Sequence, residues 1–347
     1  MNNKVKISSI LNQSNNLVDI FNYHVQNKPL KKLFYKKEKG CWLSQNYKET
    51  YKNVKKIQNF LLSRKVKKGD RIFLLSNNRI EWAEFDLAIM SIGAITVPSF
   101  VTNNISDNNF IIKNCNPKII ILETDKLYTK NKFSFKNENV VAIEKSSKFM
   151  CYEKIQEKFN ENKKKIKIFR NDISSIIYTS GTTGNPKGVI LTHNSIMHNL
   201  LGALDLFDDY LLKNERFFSF LPLSHSYERM AGLYFPILIS AEIFFCSSLD
   251  KLLAEIKESK PTILSAVPRL YEGIFKKINL QVKTSGKLIS FFLKKSLSLT
   301  NSQKKITMIN YLIAKLFNFL ILRKKIKKIF GGNVKVLISG GAALNPD

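Results

Sequence analysis

Hydroxyl-bearing residues, glycines and a lysine lie together between two apolar segments, in the stretch IIYTSGTTGNPKGVILTH at 176–193. Six consecutive residues offer backbone N–H or hydroxyl donors, and glycine lets the backbone approach a ligand closely; they are Thr179, Ser180, Gly181, Thr182, Thr183 and Gly184. Lys187 adds a positive point charge, and Pro186 stiffens the segment so that less entropy is lost on binding. The pattern predicts a loop that is held between two buried strands and wraps a polyphosphate.

Other motifs built from similar residues fit less well. A Walker A loop needs a lysine that is directly followed by Ser or Thr, whereas Lys187 is followed by Gly188. A GxSxG serine motif is excluded around Ser339, because Leu337 stands in the place of its first glycine. A flexible Gly/Thr turn would not need so many donors together with a lysine, so we favour the phosphate-binding interpretation.

The chain is strongly basic, with a formal net charge of +29 from 56 Lys and Arg against 27 Asp and Glu residues. The lysines are spread along the whole sequence, which favours a solvated basic surface over a binding patch. Arginine, which reads base edges, is scarce, and basic residues interleaved with aromatic ones are absent. We therefore expect no nucleic-acid partner.

The cysteines and the N-terminus bear on localisation. The four cysteines lie far apart and form no CxxC pair, which is typical of buried thiols in a reducing compartment. The first residues, MNNKVKISSILNQSNN, lack the apolar core of a signal peptide. No run reaches the roughly 18 apolar residues that a membrane span needs. The sequence therefore predicts a cytoplasmic protein.

Alternating strand and helix patterns in the first half predict a parallel α/β unit. Helical spacing of apolar residues predicts a helix over 47–62, and apolar runs predict strands at 72–75 and 116–124. Between them, a mostly apolar helix over 80–95 is expected to close at Pro98. Residues 126–170 are polar and weakly patterned, and we expect them to be irregular.

The second half repeats this alternation. A strand at 172–180 ends at the phosphate loop, and Asn194 is the expected cap of a helix over 194–207. Later strands are predicted at 215–225, 241–246, 261–267 and 334–339, with a helix at 249–260 and a basic amphipathic helix at 304–330. We expect two α/β subdomains, residues 1–170 and residues 171–347, with the phosphate loop in the second.

The stretch YTSGTTGNPKGV resembles the signature loop of the acyl-adenylate-forming enzymes, which include acyl-CoA synthetases, luciferases and peptide-synthetase adenylation domains. Three later stretches are similar to motifs of the long-chain fatty-acid CoA ligase branch, namely LPLSHSYERMAG at 221–232, KPTILSAVPRLYEGIFKKI at 260–278 and ISGGAALNPD at 338–347. The resemblance implies the N-terminal region of the adenylate-forming fold, with mixed and parallel sheets flanked by helices in two subdomains.

The resemblance also implies an activity with fatty acid, ATP and coenzyme A as substrates and Mg²⁺ as a cofactor. The acyl carboxylate attacks the α-phosphate of ATP, and the thiol of coenzyme A then attacks the acyl-adenylate. By motif position, Thr179 to Gly184 and Lys187 hold the β- and γ-phosphates, Thr179 lies near the magnesium, and His225 lies beside the carboxylate and the reacting phosphate. Gly340, Gly341, Ala342 and Ala343 line the adenine. Without the resemblance, His225 and the glycine pair read equally as ordinary turn residues.

The sequence departs from the family pattern after Asp347. The resemblance implies a following Tyr-Gly-x-Thr-Glu loop that holds magnesium, and a small C-terminal domain with the adenylation lysine; neither is in this sequence. We therefore expect the front part of a longer enzyme, with little ligase activity of its own. A non-catalytic remnant that binds nucleotide or acyl-adenylate, a ligase for another carboxylic acid, peripheral contact of the basic helix with the inner face of a membrane, and the oligomeric state stay open.

Overall fold

The computed structural model describes residues 3–162, 164–179, 186–207, 212–273, 276 and 327–343. Contacts within the chain divide it into a first unit, Met1–Leu249, and a second unit, Asp250–Asp347. The expected subdomain boundary between residues 170 and 171 falls inside the first unit, because the strand that leads to the phosphate loop pairs with a strand of the first half.

The described residues contain helices and strands in alternation. The helices are α1 (Asn3–Gln13), α2 (Leu17–Asn27), α3 (Tyr47–Ser63), α4 (Ile80–Ser91), α5 (Ile105–Cys115), α6 (Asp125–Asn131), α7 (Tyr152–Lys158), α8 (His193–Asp205), α9 (Ser226–Glu228), α10 (Phe235–Leu238) and α11 (Leu252–Ser259). The strands are β1 (Lys32–Glu38), β2 (Cys41–Asn46), β3 (Arg71–Leu75), β4 (Ile95–Ser99), β5 (Ile119–Leu122), β6 (Val140–Ala142), β7 (Met150–Cys151), β8 (Ile173–Thr179), β9 (Lys187–Thr192), β10 (Arg216–Ser219), β11 (Glu242–Phe245), β12 (Ile263–Ala266) and β13 (Val336–Ser339). A π-helical turn, Arg229–Tyr234, connects α9 to α10.

The larger sheet of the first unit has the strand order β7-β6-β5-β3-β4-β8-β9 within the described residues. Every neighbouring pair is parallel except β8 and β9, which form an antiparallel hairpin. The carboxyl ends of β3, β4, β5 and β8 therefore lie along one edge. This is the edge at which ligands bind in parallel α/β sheets.

The smaller sheet of the first unit has the order β10-β11-β1-β2. Strands β10, β11 and β1 are parallel, and β2 returns antiparallel to β1. Together the two sheets and their flanking helices confirm the predicted mixed α/β class with mainly parallel strands.

Helix α4 is buried on all sides, since every residue from Ile80 to Met90 is buried. A helix that is apolar around its whole circumference belongs in a core, yet α4 also carries buried carboxylates. One of them, Glu84, accepts hydrogen bonds from Gln45, Asn53 and Tyr152. Burial raises the pKa of the Glu84 carboxyl to about 7.

Asp86 of α4 forms a buried ion pair with Arg229. The Asp86 carboxylate also accepts hydrogen bonds from the Tyr234 hydroxyl at 2.6 Å and the Thr96 hydroxyl at 2.7 Å. The Arg229 guanidinium lies over the Trp82 ring, 5.5 Å from its centroid. The short contacts to both carboxylate oxygens offset part of the cost of burying the two charges, whereas Nη1 of Arg229 is buried with no hydrogen-bond partner among the described residues.

Three sequence predictions in the first unit are wrong. The helix over 80–95 ends at Ser91, and Ile95–Ser99, including Pro98, forms strand β4; a continuous apolar run does not show where helix ends and buried strand begins. Residues 126–170 are not wholly irregular, because α6, β6, β7 and α7 lie there. These elements are short, so their apolar periodicity is weak. The cap of α8 is Thr192, whose side chain accepts from the Ser195 N–H, and not Asn194.

In the second unit, β12 and β13 pair in parallel, with Ile263 opposite Val336. The chain enters β13 through a tight approach to α11, because a side chain at Gly331 would lie 2.8 Å from the Lys257 carbonyl oxygen. Gly331 also has a φ of +82°, which only glycine adopts readily.

The predicted amphipathic helix at 304–330 lies outside the described residues except for 327–330. Within the described part of the chain, no helix combines the length and the apolar character that crossing a membrane requires.

We expect Asp86→Ala to lower the free energy of unfolding by about 3–5 kcal/mol, because Arg229 would be left buried without a counter-ion. Urea unfolding followed by circular dichroism measures this change. Glu153→Ala is the matched control, since its ion pair with Lys145 is exposed at both ends and should contribute less than about 1 kcal/mol. Equal effects of the two substitutions would contradict the importance of the buried pair.

His24 gives an expected pH dependence of stability. Its Nε2 lies 3.0 Å from the Leu238 carbonyl oxygen, and burial lowers the pKa of His24 to about 4, below its ordinary value of 6.5. Between these values the unfolded chain binds more protons, so stability falls as the pH drops from 6.5 towards 4, by about 1.4 kcal/mol for each unit. His24→Gln should remove only the contribution of His24. The buried His193, whose pKa burial also lowers to about 4, should keep its own contribution to the profile. Parallel pH profiles for wild type and His24→Gln would contradict the assignment.

Candidate active site

Strands β8 and β9 hold the two ends of the predicted phosphate loop. In their antiparallel register Thr179 pairs with Lys187 and Tyr178 pairs with Gly188. The exposed side chains of Thr179 and Lys187 therefore meet at the mouth of the hairpin, at the carboxyl end of β8. The predicted loop residues Ser180, Gly181, Thr182, Thr183 and Gly184 lie outside the described residues, so their placement stays a prediction.

Tyr178 and Gly188 fix the geometry of this hairpin. Tyr178 is buried, and its hydroxyl donates a hydrogen bond to Asn114. A side chain at Gly188 would lie 2.9 Å from Ile176 Cγ2 and 3.1 Å from Tyr178 Cζ. The glycine after Lys187 is therefore needed because the Tyr178 ring packs across the strand at that position.

The apolar residues of the second flank are less buried than predicted. Val189 and Ile190 on β9 are 44% and 59% exposed. Strand β9 is the outermost strand of the larger sheet within the described residues, so only β8 is packed between two neighbours. The expectation of two buried strands holds for β8 and is wrong for β9.

His225 is exposed and begins the short helix α9. The backbone N–H of Tyr227 donates to His225 Nδ1 at 3.1 Å. A neutral imidazole whose Nδ1 accepts a hydrogen bond carries its proton on Nε2. His225 therefore presents an N–H donor at Nε2.

The residues before His225 are tied to the larger sheet. The Leu223 N–H donates to Asn78 Oδ1 at 2.8 Å, and Asn78 Nδ2 donates to the Leu221 carbonyl at 2.6 Å. The Ser224 hydroxyl donates to the Ser99 carbonyl at 2.8 Å. Because Ser99 ends β4, and β4 is the neighbour of β8, these bonds bring His225 to the same sheet edge as the phosphate hairpin.

Glu228 is buried directly behind this segment. Its Oε1 accepts a hydrogen bond from the Ser219 hydroxyl at 2.6 Å, and burial raises the pKa of the Glu228 carboxyl to about 8. Burial therefore favours the protonated form of the carboxyl, and the side chain is not a surface charge at the start of α9. A side chain at Gly232 would collide with Glu228 Oε1, so a larger residue there would displace the Glu228 carboxyl from the Ser219 hydroxyl.

A cavity of about 670 Å³ opens beside the His225 segment in the first unit. Its walls come from residues that follow the carboxyl ends of strands in both sheets, and they combine aromatic, polar and charged side chains. The lining includes Arg79, Phe100, Val101, Phe220, Pro222 and Ser224. Most of the lining residues are polar or charged, unlike the mainly apolar lining of a typical small-molecule pocket.

The predicted adenine-binding residues follow β13 in the second unit. The Gly340 N–H donates to the Ala266 carbonyl at 3.1 Å, which ties the loop to the carboxyl end of β12. Gly341 has a φ of +79°, a left-handed conformation that favours glycine. Gly341, Ala342 and Ala343 are exposed, so their backbone is accessible to a flat ligand.

Within the described residues, no group of three or more His, Cys, Asp or Glu side chains is arranged to hold a metal ion. Thr179 offers a single hydroxyl, whereas Mg²⁺ takes six oxygen ligands. The described side chains do not form a magnesium site by themselves.

Three residues in this region were not singled out from the sequence as site residues. Asn78 acts over a sequence separation of about 145 residues, and Gly188 is explained only by the neighbouring Tyr178 ring. For Asn78 one signal exists, since the polar run SNNR stands between a strand and a helix at a carboxyl edge. The protonated state of Glu228 depends on burial and has no local sequence signal.

Among curated proteins, the chain is similar to the long-chain-fatty-acid–CoA ligase FadD15 of Mycobacterium tuberculosis, with 28% identity over 88% of this chain and 53% of the relative. It is also similar to long chain acyl-CoA synthetase 5 of Arabidopsis thaliana, with 30% identity over 94% of this chain and 53% of the relative. The chain spans about half the length of these relatives.

Solved structures share the fold. A fatty acid AMP ligase from Legionella pneumophila has a TM-score of 0.60 and 24% identity, over 74% of this chain and 45% of that protein. The adenylation domain of a carboxylate reductase from Mycobacterium chelonae has a TM-score of 0.72 and 16% identity, over 98% of this chain and 56% of that domain. The sequence profile described as AMP-binding enzyme matches residues 21–347, and the chain therefore belongs to the family of AMP-binding enzymes.

Proposed function

We propose that the chain carries the nucleotide- and carboxylate-binding part of an AMP-forming long-chain fatty-acid CoA ligase. The observation that supports this most directly is the β8–β9 hairpin, in which Thr179 and Lys187 face each other across the signature loop. The names of the similar curated proteins support a fatty acid as the substrate.

In the proposed complex, the loop from Thr179 to Gly184 surrounds the β- and γ-phosphates of ATP. Backbone N–H groups and hydroxyls donate to the phosphate oxygens, and Lys187 supplies the positive charge. Bound Mg²⁺, carried by the triphosphate, would supply further neutralisation of negative charge.

The first reaction joins a carboxylate oxygen of the fatty acid to the α-phosphorus and releases pyrophosphate. Negative charge builds on the oxygens around phosphorus, and the Nε2–H of His225 is placed to donate to one of them or to the carboxylate. Its hydrogen-bonded Nδ1 fixes this donor without a change of tautomer. His225 thus orients the carboxylate and stabilises charge, and no proton needs to leave the imidazole.

The second reaction joins the sulfur of coenzyme A to the acyl carbon and releases AMP.

Gly340 to Ala343 are the proposed adenine contacts, because side chains larger than alanine would keep a purine from the backbone. We assign no described residue to the attack of the thiol.

Fatty-acid-dependent exchange of pyrophosphate into ATP tests the proposal. With the intact gene product and saturated fatty acids of graded length, exchange should depend on both the acid and the chain length. Exchange with aryl or short acids only would indicate a ligase for another carboxylic acid. ATP binding without exchange for any acid would indicate a non-catalytic nucleotide-binding protein.

Lys187→Ala should weaken ATP binding about 10- to 100-fold, since a charged hydrogen bond contributes about 1.5–3 kcal/mol. Isothermal titration calorimetry with ATP and Mg²⁺ measures the dissociation constant. Lys118→Ala is the control, because Lys118 is an exposed lysine at the opposite, amino end of β5. If both variants bound ATP like the wild type, the assignment of Lys187 would be wrong.

His225→Ala should lower the kcat of the exchange reaction about 100-fold, by the loss of one donor to developing charge. The dissociation constant of ATP should change by less than about threefold, because the triphosphate is held elsewhere. His198→Ala, an exposed histidine on α8, should leave both values unchanged. A loss confined to ATP affinity would assign His225 to the nucleotide and not to the reacting groups.

A further inference from the structure

One side chain spans the gap between the two sheets of the first unit just before His225. Asn78 follows β3 of the larger sheet, and its amide uses both of its polar atoms on the segment that leaves β10 of the smaller sheet. Nδ2 donates to the Ser219 hydroxyl at 3.1 Å and the Leu221 carbonyl at 2.6 Å, and Oδ1 accepts from the Leu223 N–H at 2.8 Å.

We propose that Asn78 is a positioning residue, which sets where His225 stands relative to the phosphate hairpin. The inference rests on the proposed function of His225. The contacts of Asn78 are observed independently of that function. Asn78 satisfies one carbonyl and one N–H of a non-helical segment, and a side chain that bridges backbone groups in this way fixes the path of the chain.

Two further contacts make the position of His225 depend on this bridge. The His225 N–H donates to the Pro222 carbonyl at 2.9 Å, so the histidine backbone is attached to the segment that Asn78 holds. The Ser224 hydroxyl donates to Ser99 at the end of β4, the neighbour of β8. The Ser224 hydroxyl makes a single hydrogen bond, about which the segment can still rotate. The Asn78 amide makes two hydrogen bonds to the backbone of the segment, at Leu221 and Leu223, and therefore fixes its orientation.

The Ser219 hydroxyl links this bridge to the residues behind His225. It accepts from Asn78 Nδ2 and donates to the buried Glu228 Oε1 at 2.6 Å. The chain on both sides of His225 is therefore held by one continuous set of hydrogen bonds. Displacement of a reacting group by about 1 Å can cost about 100-fold in rate, so loss of the amide should be visible in turnover.

The first test uses no substrate. In the chain labelled for NMR, Asn78→Ala should speed hydrogen exchange of the Leu223 amide at least about tenfold, and it should shift the backbone and ring signals of His225. Asn109→Ala is the matched control, because Asn109 also donates to two carbonyls, those of Ile105 and Asn131, far along α5. Unchanged Leu223 exchange and unchanged His225 signals in Asn78→Ala would overturn the proposal.

The second test is kinetic and uses the intact gene product. Asn78→Ala and Asn78→Asp should lower the kcat of pyrophosphate exchange about 10- to 100-fold with the dissociation constant of ATP unchanged, and Asn109→Ala should not. In Asn78→Asp the Leu223 N–H keeps its acceptor, but a carboxylate oxygen replaces the amide nitrogen that donates to the Leu221 carbonyl. This variant therefore measures what the Nδ2 donor contributes to kcat.

A double-variant cycle separates positioning from general stability. If Asn78 acts through His225, adding Asn78→Ala to His225→Ala should cause no further loss of kcat. A full additional loss in that background would overturn the proposal. If His225→Ala itself had no effect, the proposed role of His225 would fail, and the NMR experiment would still decide whether Asn78 positions the histidine.

Discussion

The buried ion pair between Asp86 and Arg229 joins the central helix α4 to the segment that carries His225. Arg229 lies four residues after the histidine, and its N–H donates to the His225 carbonyl. The Asp86 carboxylate also accepts hydrogen bonds from the Thr96 hydroxyl on β4 and from the Tyr234 hydroxyl in the π-helical turn. One carboxylate therefore connects α4, β4 and the π-helical turn. Removing either charge would leave the other buried without a counter-ion, so the pair favours the arrangement in which both are paired.

The buried pair helps to place the His225 segment beside the β8–β9 hairpin at the carboxyl edge of the larger sheet. The hairpin with Thr179 and Lys187 belongs to the larger sheet, and the segment with His225 follows β10 of the smaller sheet. Before His225, the segment is held by hydrogen bonds to Asn78 and Ser99. After His225, it is held by the ion pair of Arg229 and the hydrogen bond of Glu228. Lys187, a positive charge, and the Nε2 of His225 thus stand at one edge, where parallel strands direct their carboxyl ends. Catalysis of charge build-up on oxygen requires such donors to be placed before the substrate arrives.

The sequence predicted those features whose cause is local. Helix α3 was predicted over 47–62 and lies at Tyr47–Ser63, because its apolar spacing and its Asn46 cap are contiguous in the chain. The hairpin position of Lys187 followed from the glycine-rich loop between apolar flanks, and the fold class followed from alternation. Features that depend on distant partners were not readable: Pro98 inside β4, the exposure of β9, the Asn78 bridge, and the protonation of Glu228. Each of these features is decided by residues far away in sequence. Short elements such as β7, with two residues, are too short to show a periodic pattern of apolar side chains.

The most direct measurement is a crystal structure of the chain grown with a non-hydrolysable ATP analogue and Mg²⁺. The account predicts that the β- and γ-phosphates lie inside the β8–β9 hairpin, within hydrogen-bond distance of Thr179 and Lys187, with the α-phosphate directed towards His225. A nucleotide bound at full occupancy elsewhere, with the hairpin free of phosphate, would contradict it.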